Sequence, residues 1–232
     1  MKGVVLAGGK GTRLLPLTKI TNKHLLPVHD RPMIFFPLET LRQSGISEIL
    51  VVTDPQFLAE FKKVVGKFPG VRISFALQKK PDGIAGALRL AEKFAAGESL
   101  AVILGDNIFE SSFARDVREF ESGAKVFLKK VPDPERFGVA EIRGSRVVGI
   151  VEKPRLPKSD LAVVGLYFFD KNVFDIIRKI IPSRRGELEI SDVNNFYIAR
   201  KSLIFSRIKG FWKDAGTIES LAEATKFIRK KS

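Results

Sequence analysis

Three glycines at positions 8, 9 and 11, closed by the cations Lys10 and Arg13, follow directly on an apolar run at 4–7. Glycine reaches positive φ readily and carries no side chain that would hold a ligand away from main-chain N–H groups. Successive N–H groups in such a loop form a concave anion site, and two cations at its end add full charges. The chemistry this predicts is the binding of a di- or triphosphate. The spacing matches neither the Walker loop nor Gly-x-Gly-x-x-Gly, and a glycine hairpin with two solvated cations is the plainer reading of the same residues.

Other residues bear on the same chemistry. Gly105-Asp106-Asn107 places a carboxylate just past the apolar run 100–104. A carboxylate there is costly unless paired or liganded, although Gly-Asp-Asn is equally good turn chemistry. Asp214 is a second isolated carboxylate, set before a helical stretch that it could simply cap. Two carboxylates on separate segments facing a phosphate loop suit Mg²⁺, which binds through one or two carboxylates plus substrate phosphates and water. Gln78 and Gly83 follow a third apolar run, where a Gln amide and a Gly N–H can read the edge of a base. Glu152-Lys153-Pro154 ends another run with an ion-paired head, and Arg184 and Arg185 precede a helix that Ser191 could cap. Taken singly, Lys153 also fits a surface pair, Arg185 a solvated cation and Tyr167 a core residue.

The elements that must position these groups are legible from apolar patterning. Near-continuous apolar runs at 4–7, 48–53, 71–77 and 100–104 alternate with amphipathic stretches at 33–44, 57–68, 83–96 and 111–122. That rhythm predicts parallel strands covered by helices on both faces. From residue 125 it changes: strands at 125–131, 139–142, 147–152 and 163–169 are joined by shorter links, then come helices at 172–180 and 191–200, a strand at 203–208 and a helix at 217–230. The second half therefore adds antiparallel elements, expected to form a lid over the ligand crevice. No linker or repeat divides residues 1–232, which read as a single α/β domain.

Composition narrows the function classes. The chain lacks cysteine and has only His24 and His29, which excludes disulfides, thiol nucleophiles and histidine-rich metal sites. No apolar run approaches the roughly 20 residues that span a bilayer, and no leader layout precedes the first strand, so a cytoplasmic protein without a membrane partner is expected. The net charge is +14, from 40 Lys and Arg against 26 Asp and Glu. These cations lie in short scattered clusters such as Lys62-Lys63 and Lys129-Lys130, which favours solvated faces and a phosphate site over a nucleic-acid groove.

Seven segments in order carry a resemblance: 6–14 (Leu-Ala-Gly-Gly-Lys-Gly-Thr-Arg-Leu), 23–28 (Lys-His-Leu-Leu-Pro-Val), 105–109 (Gly-Asp-Asn-Ile-Phe), 133–139 (Asp-Pro-Glu-Arg-Phe-Gly-Val), 152–154 (Glu-Lys-Pro), 165–167 (Gly-Leu-Tyr) and 185–190 (Arg-Gly-Glu-Leu-Glu-Ile). In these segments the chain resembles the sugar-1-phosphate nucleotidyltransferases, in particular the glucose-1-phosphate thymidylyltransferase group, from Gly3 to Phe227. The resemblance implies a Rossmann-like three-layer fold with a mainly parallel central sheet, helices on both faces and a small antiparallel sugar-binding part. It implies transfer of a deoxythymidylyl group from dTTP to glucose-1-phosphate, with Mg²⁺ held by Asp106 and Asp214. Arg13, Lys23 and Lys153 would be the catalytic cations. Leu6, Gly8, Gly9, Gly11, Thr12, Gln78 and Gly83 would bind the nucleotide. Asn107, Gly138, Glu152, Lys153, Val163, Tyr167 and Arg185 would bind the sugar phosphate.

The chain also departs from that pattern. Phe137 stands where the family usually carries Tyr, Lys213 and Ala215 replace a Leu and a Thr, and Gly86 occupies a position where a larger side chain is common. The sequence ends soon after Phe227 and is read as a short form, in which the inhibitory nucleotide site built on the family's further helices is not expected. A homo-oligomer is the expected assembly. The same chemistry with UTP or another hexose-1-phosphate is the alternative within the enzyme class. A nucleotide-sensing or nucleic-acid-associated protein is the alternative outside it, weakened by the presence of Arg13, Asp106 and Asp214 together.

Overall fold

The computed structural model describes residues 1–231. At its centre runs β1 (Lys2–Ala7), whose Val4, Val5 and Ala7 are wholly buried. The ribbon strands β2 (Pro27–Val28) and β3 (Arg31–Pro32) follow the glycine loop, then α1 (Phe35–Gln43), β4 (Glu48–Thr53), α2 (Leu58–Val65), β5 (Arg72–Leu77), α3 (Ile84–Arg89), α4 (Glu92–Ala95) and β6 (Leu100–Leu104). The remainder comprises β7 (Asn107–Phe109), α5 (Ala114–Glu119), β8 (Ala124–Lys130), β9 (Gly138–Arg143), β10 (Arg146–Glu152), β11 (Leu161–Phe169), α6 (Val173–Ile177), α7 (Ile190–Ala199), β12 (Leu203–Arg207), β13 (Trp212–Asp214) and α8 (Ile218–Arg229).

One sheet carries most of these strands in the order β10-β9-β11-β6-β1-β4-β5, with β8 beside β11 and β12 beside β8. The β6-β1-β4-β5 part is parallel, with Val4 opposite both Leu50 and Val102. Side chains alternate across β1: Val4 and Leu6 join a core with Leu88, Ala91 and Val193, whereas Val5 and Ala7 join one with Ile34, Leu38 and Phe61. Burial on both faces is why these strands read as continuous apolar runs. The expected three-layer α/β architecture is the one observed.

The joint between the parallel and antiparallel parts lies in β11. Residues Leu166–Phe169 of β11 pair with β6, but Ala162 and Val163 pair with β9. Between the two ladders, the Gly165 N–H donates instead to Oδ1 of Asn107 at 3.0 Å. A Cβ on Gly165 would sit 2.7 Å from that amide, so only glycine admits it. A side chain thus completes the sheet where two strands part, and the parting leaves room for the floor of a cleft.

Several details differ from expectation. The antiparallel half, expected as a lid, is continuous with the parallel part, β9 and β10 prolonging the same sheet beyond β11. The helix expected over 83–96 is interrupted between α3 and α4, where Leu90 N–H bonds Ala87 and Ala91 N–H bonds Leu88, a tightening that keeps Ala91 in the core. α5 starts only at Ala114, because the Ser111 hydroxyl donates to the Lys209 carbonyl and the Ser112 hydroxyl accepts the Ala114 N–H. The ribbon β7–β13 was not expected and pairs Asp214 with Asn107. No helix among the described residues is long and apolar enough to cross a membrane.

Phe127 is 1% exposed and packs edge-on against Phe113 at 4.9 Å and Phe168 at 5.1 Å. Phe127→Ala is expected to lower unfolding stability by about 3–5 kcal/mol, read as a shifted urea midpoint, with Phe127→Leu recovering most of the loss.

Candidate active site

The carboxyl ends of β1, β5 and β6 open together into a cleft of about 350 Å³. Strand carboxyl ends are where open α/β sheets bind ligands. Leu6, Gly8, Gly9, Gln78 and Gly83 line its glycine-loop side, and Gly138, Glu152, Lys153, Val163 and Tyr167 line it from β9–β11 and the loops between them. Arg13, Lys23, Asp106, Asn107 and Asp214 line it too. Gly11, Thr12 and Arg185 are not in its wall. Gly11 turns outward at φ 61° with its carbonyl taken by Leu14 N–H and the Thr18 hydroxyl, and Thr12 after it is exposed. Arg185 is folded onto Glu189, with Nη2 2.9 Å from Oε2, and lies 3.4 Å from Glu187.

The electrostatic centre is built around Asp106. Lys23 Nζ donates to Asp106 Oδ2 at 2.5 Å, and Nδ2 of Asn107 donates to Oδ1 at 3.0 Å. Burial, the largest single influence, would raise the Asp106 carboxyl, but the charge and hydrogen bond of Lys23 together with His24 and Asn107 outweigh it and hold the group well below the usual carboxylate range. Asp214 moves the other way: burial and then the Asp106 charge push its carboxyl up, against the pull of Lys23 and Arg13. The groups converge on one point. A Cβ on Gly216 would lie 2.7 Å from Asp214 Oδ1, 3.1 Å from Arg13 Nη2 and 3.4 Å from Asp106 Oδ2. No group of three or more His, Cys, Asp and Glu side chains poised for a metal occurs among the described residues. Two carboxylates drawn together around cationic charge fit a hard ion that completes its shell with phosphate oxygens and water.

Local structure explains how these side chains come together. Asn22 caps the short turn bearing Lys23, accepting the His24 backbone N–H at 2.9 Å and facing Nδ1 of the His24 ring at 2.7 Å with the same oxygen. That oxygen requires the ring proton on Nδ1. Burial, with Lys23 adding to it, lowers the His24 pKa to about 3, so the ring is neutral. Asp54 at the end of β4 accepts the Gly9 N–H and ties down the glycine loop, and burial raises its carboxyl. Asp214 is not a helix cap; it lies in β13, and Thr217 caps α8. Nor does Ser191 cap α7: Glu189 holds that position, while the Ser191 hydroxyl donates to Glu152 Oε2 at 2.6 Å.

On the β9–β11 side, Glu152 Oε1 lies 3.8 Å from Lys153 Nζ and 3.7 Å from Arg185 Nη2. Lys153 adopts φ 42°, a strained backbone held by its N–H to the Phe137 carbonyl at 2.9 Å. Asn107, proposed from sequence as a sugar-phosphate ligand, sits in the floor with Oδ1 also accepting from Trp212 Nε1 at 2.7 Å. Burial pushes the Tyr167 phenol pKa up, so it stays protonated. Sequence reasoning missed Asn194, His24, Trp212 and Arg136. Asn194 is 1% exposed, lines the cleft, and has neither amide atom hydrogen-bonded to protein. Nothing in the sequence marks it, because an Asn on a helix, here beside Asn195, reads as solvent-facing. Arg13, Arg136, Lys153 and Lys213 also line an adjoining hollow at the start of α8.

Residues 2–231 match the family described as Nucleotidyl transferase. The glucose-1-phosphate thymidylyltransferase of Neisseria meningitidis serogroup A is 47% identical over 238 residues, covering 99% of this chain and 83% of that one. The enzyme of the same name from Mycobacterium tuberculosis H37Rv is 40% identical, covering 99% and 82%. Among solved structures, a proposed glucose-1-phosphate thymidylyltransferase from Bacillus anthracis superposes with a TM-score of 0.94 at 46% identity, over 99% of this chain and 95% of that one. A UDP-glucose pyrophosphorylase complexed with UDP-glucose gives 0.88 at 26% identity, over 100% and 99%.

The neutral His24 ring makes stability depend on pH. Its folded pKa of about 3 lies below the ordinary 6.5, so its contribution is complete above 6.5 and is lost as pH falls from there toward 3. His24→Gln lacks this contribution. The stability difference between wild type and variant should change by up to about 1.4 kcal/mol per pH unit between roughly pH 6 and pH 4 in urea titrations, always in the direction of weakening the wild type; a difference independent of pH would contradict the neutral assignment.

Proposed function

This chain belongs to the nucleotidyl transferase family, and we propose that it transfers a deoxythymidylyl group from dTTP to glucose-1-phosphate, releasing pyrophosphate and forming dTDP-glucose. The observation that carries this reading is the convergence of Asp106, Asp214 and Arg13 on one point beside a glycine loop, with Lys153 on the same cleft. Curated relatives of that name at 40–47% identity over nearly the whole chain support it.

In this reading Leu6, Gly8, Gln78 and Gly83 seat the thymine and ribose. The side-chain-free main chain at Gly8 and Gly9 lets the triphosphate lie against the loop, Gly11 and Thr12 staying outside the cleft wall, and Arg13 and Lys23 neutralise its β- and γ-phosphates. Lys153 holds the phosphate of the sugar. Arg185 assists only by leaving Glu189. Gly138, Glu152, Val163 and Tyr167 surround the hexose, and the unpartnered Asn194 amide offers both a donor and an acceptor to a hydroxyl. A sugar-phosphate oxygen forms a new bond to the α-phosphorus in line as the bond to the β-phosphate oxygen breaks. That nucleophile is already anionic at neutral pH, so no side chain need remove a proton. The barrier is the approach of two polyanions, and fixed cations together with positioning lower it. Mg²⁺ held by Asp106 and Asp214 would supply further charge neutralisation at the transferring and leaving phosphates, and Lys23 beside Asp106 marks where positive charge is stabilised.

UTP is the second reading, favoured by the likeness to the UDP-glucose pyrophosphorylase. Uracil lacks only the thymine methyl, a difference of about 1 kcal/mol in an apolar pocket.

With dTTP, glucose-1-phosphate and MgCl₂, pyrophosphate and dTDP-glucose should form in equal amounts. Asp106→Asn and Asp214→Asn should each lower kcat by at least about a hundredfold with circular dichroism unchanged. Undiminished turnover in EDTA would contradict the metal role, and a preference for UTP by orders of magnitude would reassign the nucleotide.

A further inference from the structure

The base-facing amide of Gln78 is held from behind by a residue outside the cleft wall. Gln78 ends β5's run, is 8% exposed and lines the cleft, and its Nε2 donates to Asp82 Oδ1 at 2.8 Å. An ionised carboxylate only accepts hydrogen bonds, so it can be satisfied by the NH₂ end of an amide and not by the oxygen end. The oxygen must then point elsewhere, and it does: Oε1 lies 2.8 Å from where a Cβ on Gly8 would sit, at the glycine loop. Asp82 is itself fixed. Arg89 Nη2 lies 3.3 Å from its Oδ2, its carbonyl accepts the Leu188 N–H at 2.8 Å, and its carboxylate fills the space over Gly86, where a Cβ would come within 2.2 Å of Oδ1.

We propose that Asp82 is a specificity-determining positioning residue: by holding Nε2 of Gln78 it presents Oε1 to the base and so selects pyrimidines that carry a proton on N3 over cytosine. Thymine and uracil bring an N3–H donor to that oxygen. Cytosine brings the N3 lone pair, which meets an acceptor with an acceptor. An amide free to rotate would accept either edge, because its two ends exchange by a half-turn about the terminal torsion. The glycine at 86 is part of the device, since a side chain there would displace the carboxylate.

The inference rests on the nucleotidyl-transfer reading, and binding measured without sugar phosphate separates the two. Calorimetric titration of the wild type with Mg-dTTP and Mg-dCTP should show dTTP bound at least about tenfold tighter. Asp82→Asn offers Gln78 both a donor and an acceptor, and should shrink that ratio by about tenfold, weakening dTTP and strengthening dCTP. Gly86→Ala keeps the carboxylate and its charge but dislodges it, and should move the ratio the same way, which guards against a folding defect peculiar to one variant. In a Gln78→Ala background, Asp82→Asn should change nothing further. Equal weakening of both nucleotides in Asp82→Asn, with the ratio intact, would show a merely structural role and overturn the proposal. Failure of the wild type to bind dTTP at all would instead overturn the reading beneath it, and the proposal with it.

Discussion

The placement of two carboxylates against one another, Asp106 at the end of β6 and Asp214 in β13, is the constraint on which the rest of the structure depends. Carboxylates that share a site disfavour one another's ionisation, and the Asp106 charge adds to burial in pushing the Asp214 carboxyl up. The fold tolerates them because Lys23 and Arg13 are brought to the same point, each by a different segment. Such an arrangement offers little to stability that an apolar core would not supply better. It is well suited to holding a cation and phosphates, whose arrival settles the charge that the bare protein leaves strained.

The Asn107 amide ties this centre to the sheet. Asn107 donates to Asp106, accepts from Gly165 where β11 leaves β6, and accepts from Trp212 two residues before Asp214. The parallel half of the sheet supplies the glycine loop, Gln78 and Asp106, and the antiparallel half supplies Gly138, Glu152 and Tyr167. Asn107 sits where they meet. The two substrates of the proposed reaction are therefore served by two differently built halves, joined by the β11–β6 ladder and by this buried side chain at its end. Asn107, expected from the resemblance to bind the sugar phosphate, lines the cleft with its amide engaged in these three bonds.

The parallel strands were legible because burial on both faces leaves an unbroken apolar run, and Asp106 was legible because a carboxylate ends such a run. Asp214 was visible as an isolated acid but not as a strand residue, since three residues of β13 are too few to show a period of two. The helix break at Leu90 and the late start of α5 depend on which acceptors the backbone N–H groups find nearby, and no local pattern records that. Arg185 and Asn194 mark the same limit from opposite sides. Arg185 has three carboxylates within 4 Å and is spoken for, whereas Asn194 is buried with no partner. Residue type is silent on both facts, which belong to tertiary packing.

The most direct test of the charge centre is anomalous diffraction from crystals grown with Mn²⁺ and a non-hydrolysable dTTP analogue. The account predicts a manganese peak ligated by both Asp106 and Asp214 and by analogue phosphate oxygens, with Lys23 Nζ moved off Asp106 or sharing it with the metal. A nucleotide bound in the cleft with no metal between those carboxylates, or with the metal held by other side chains, would contradict it.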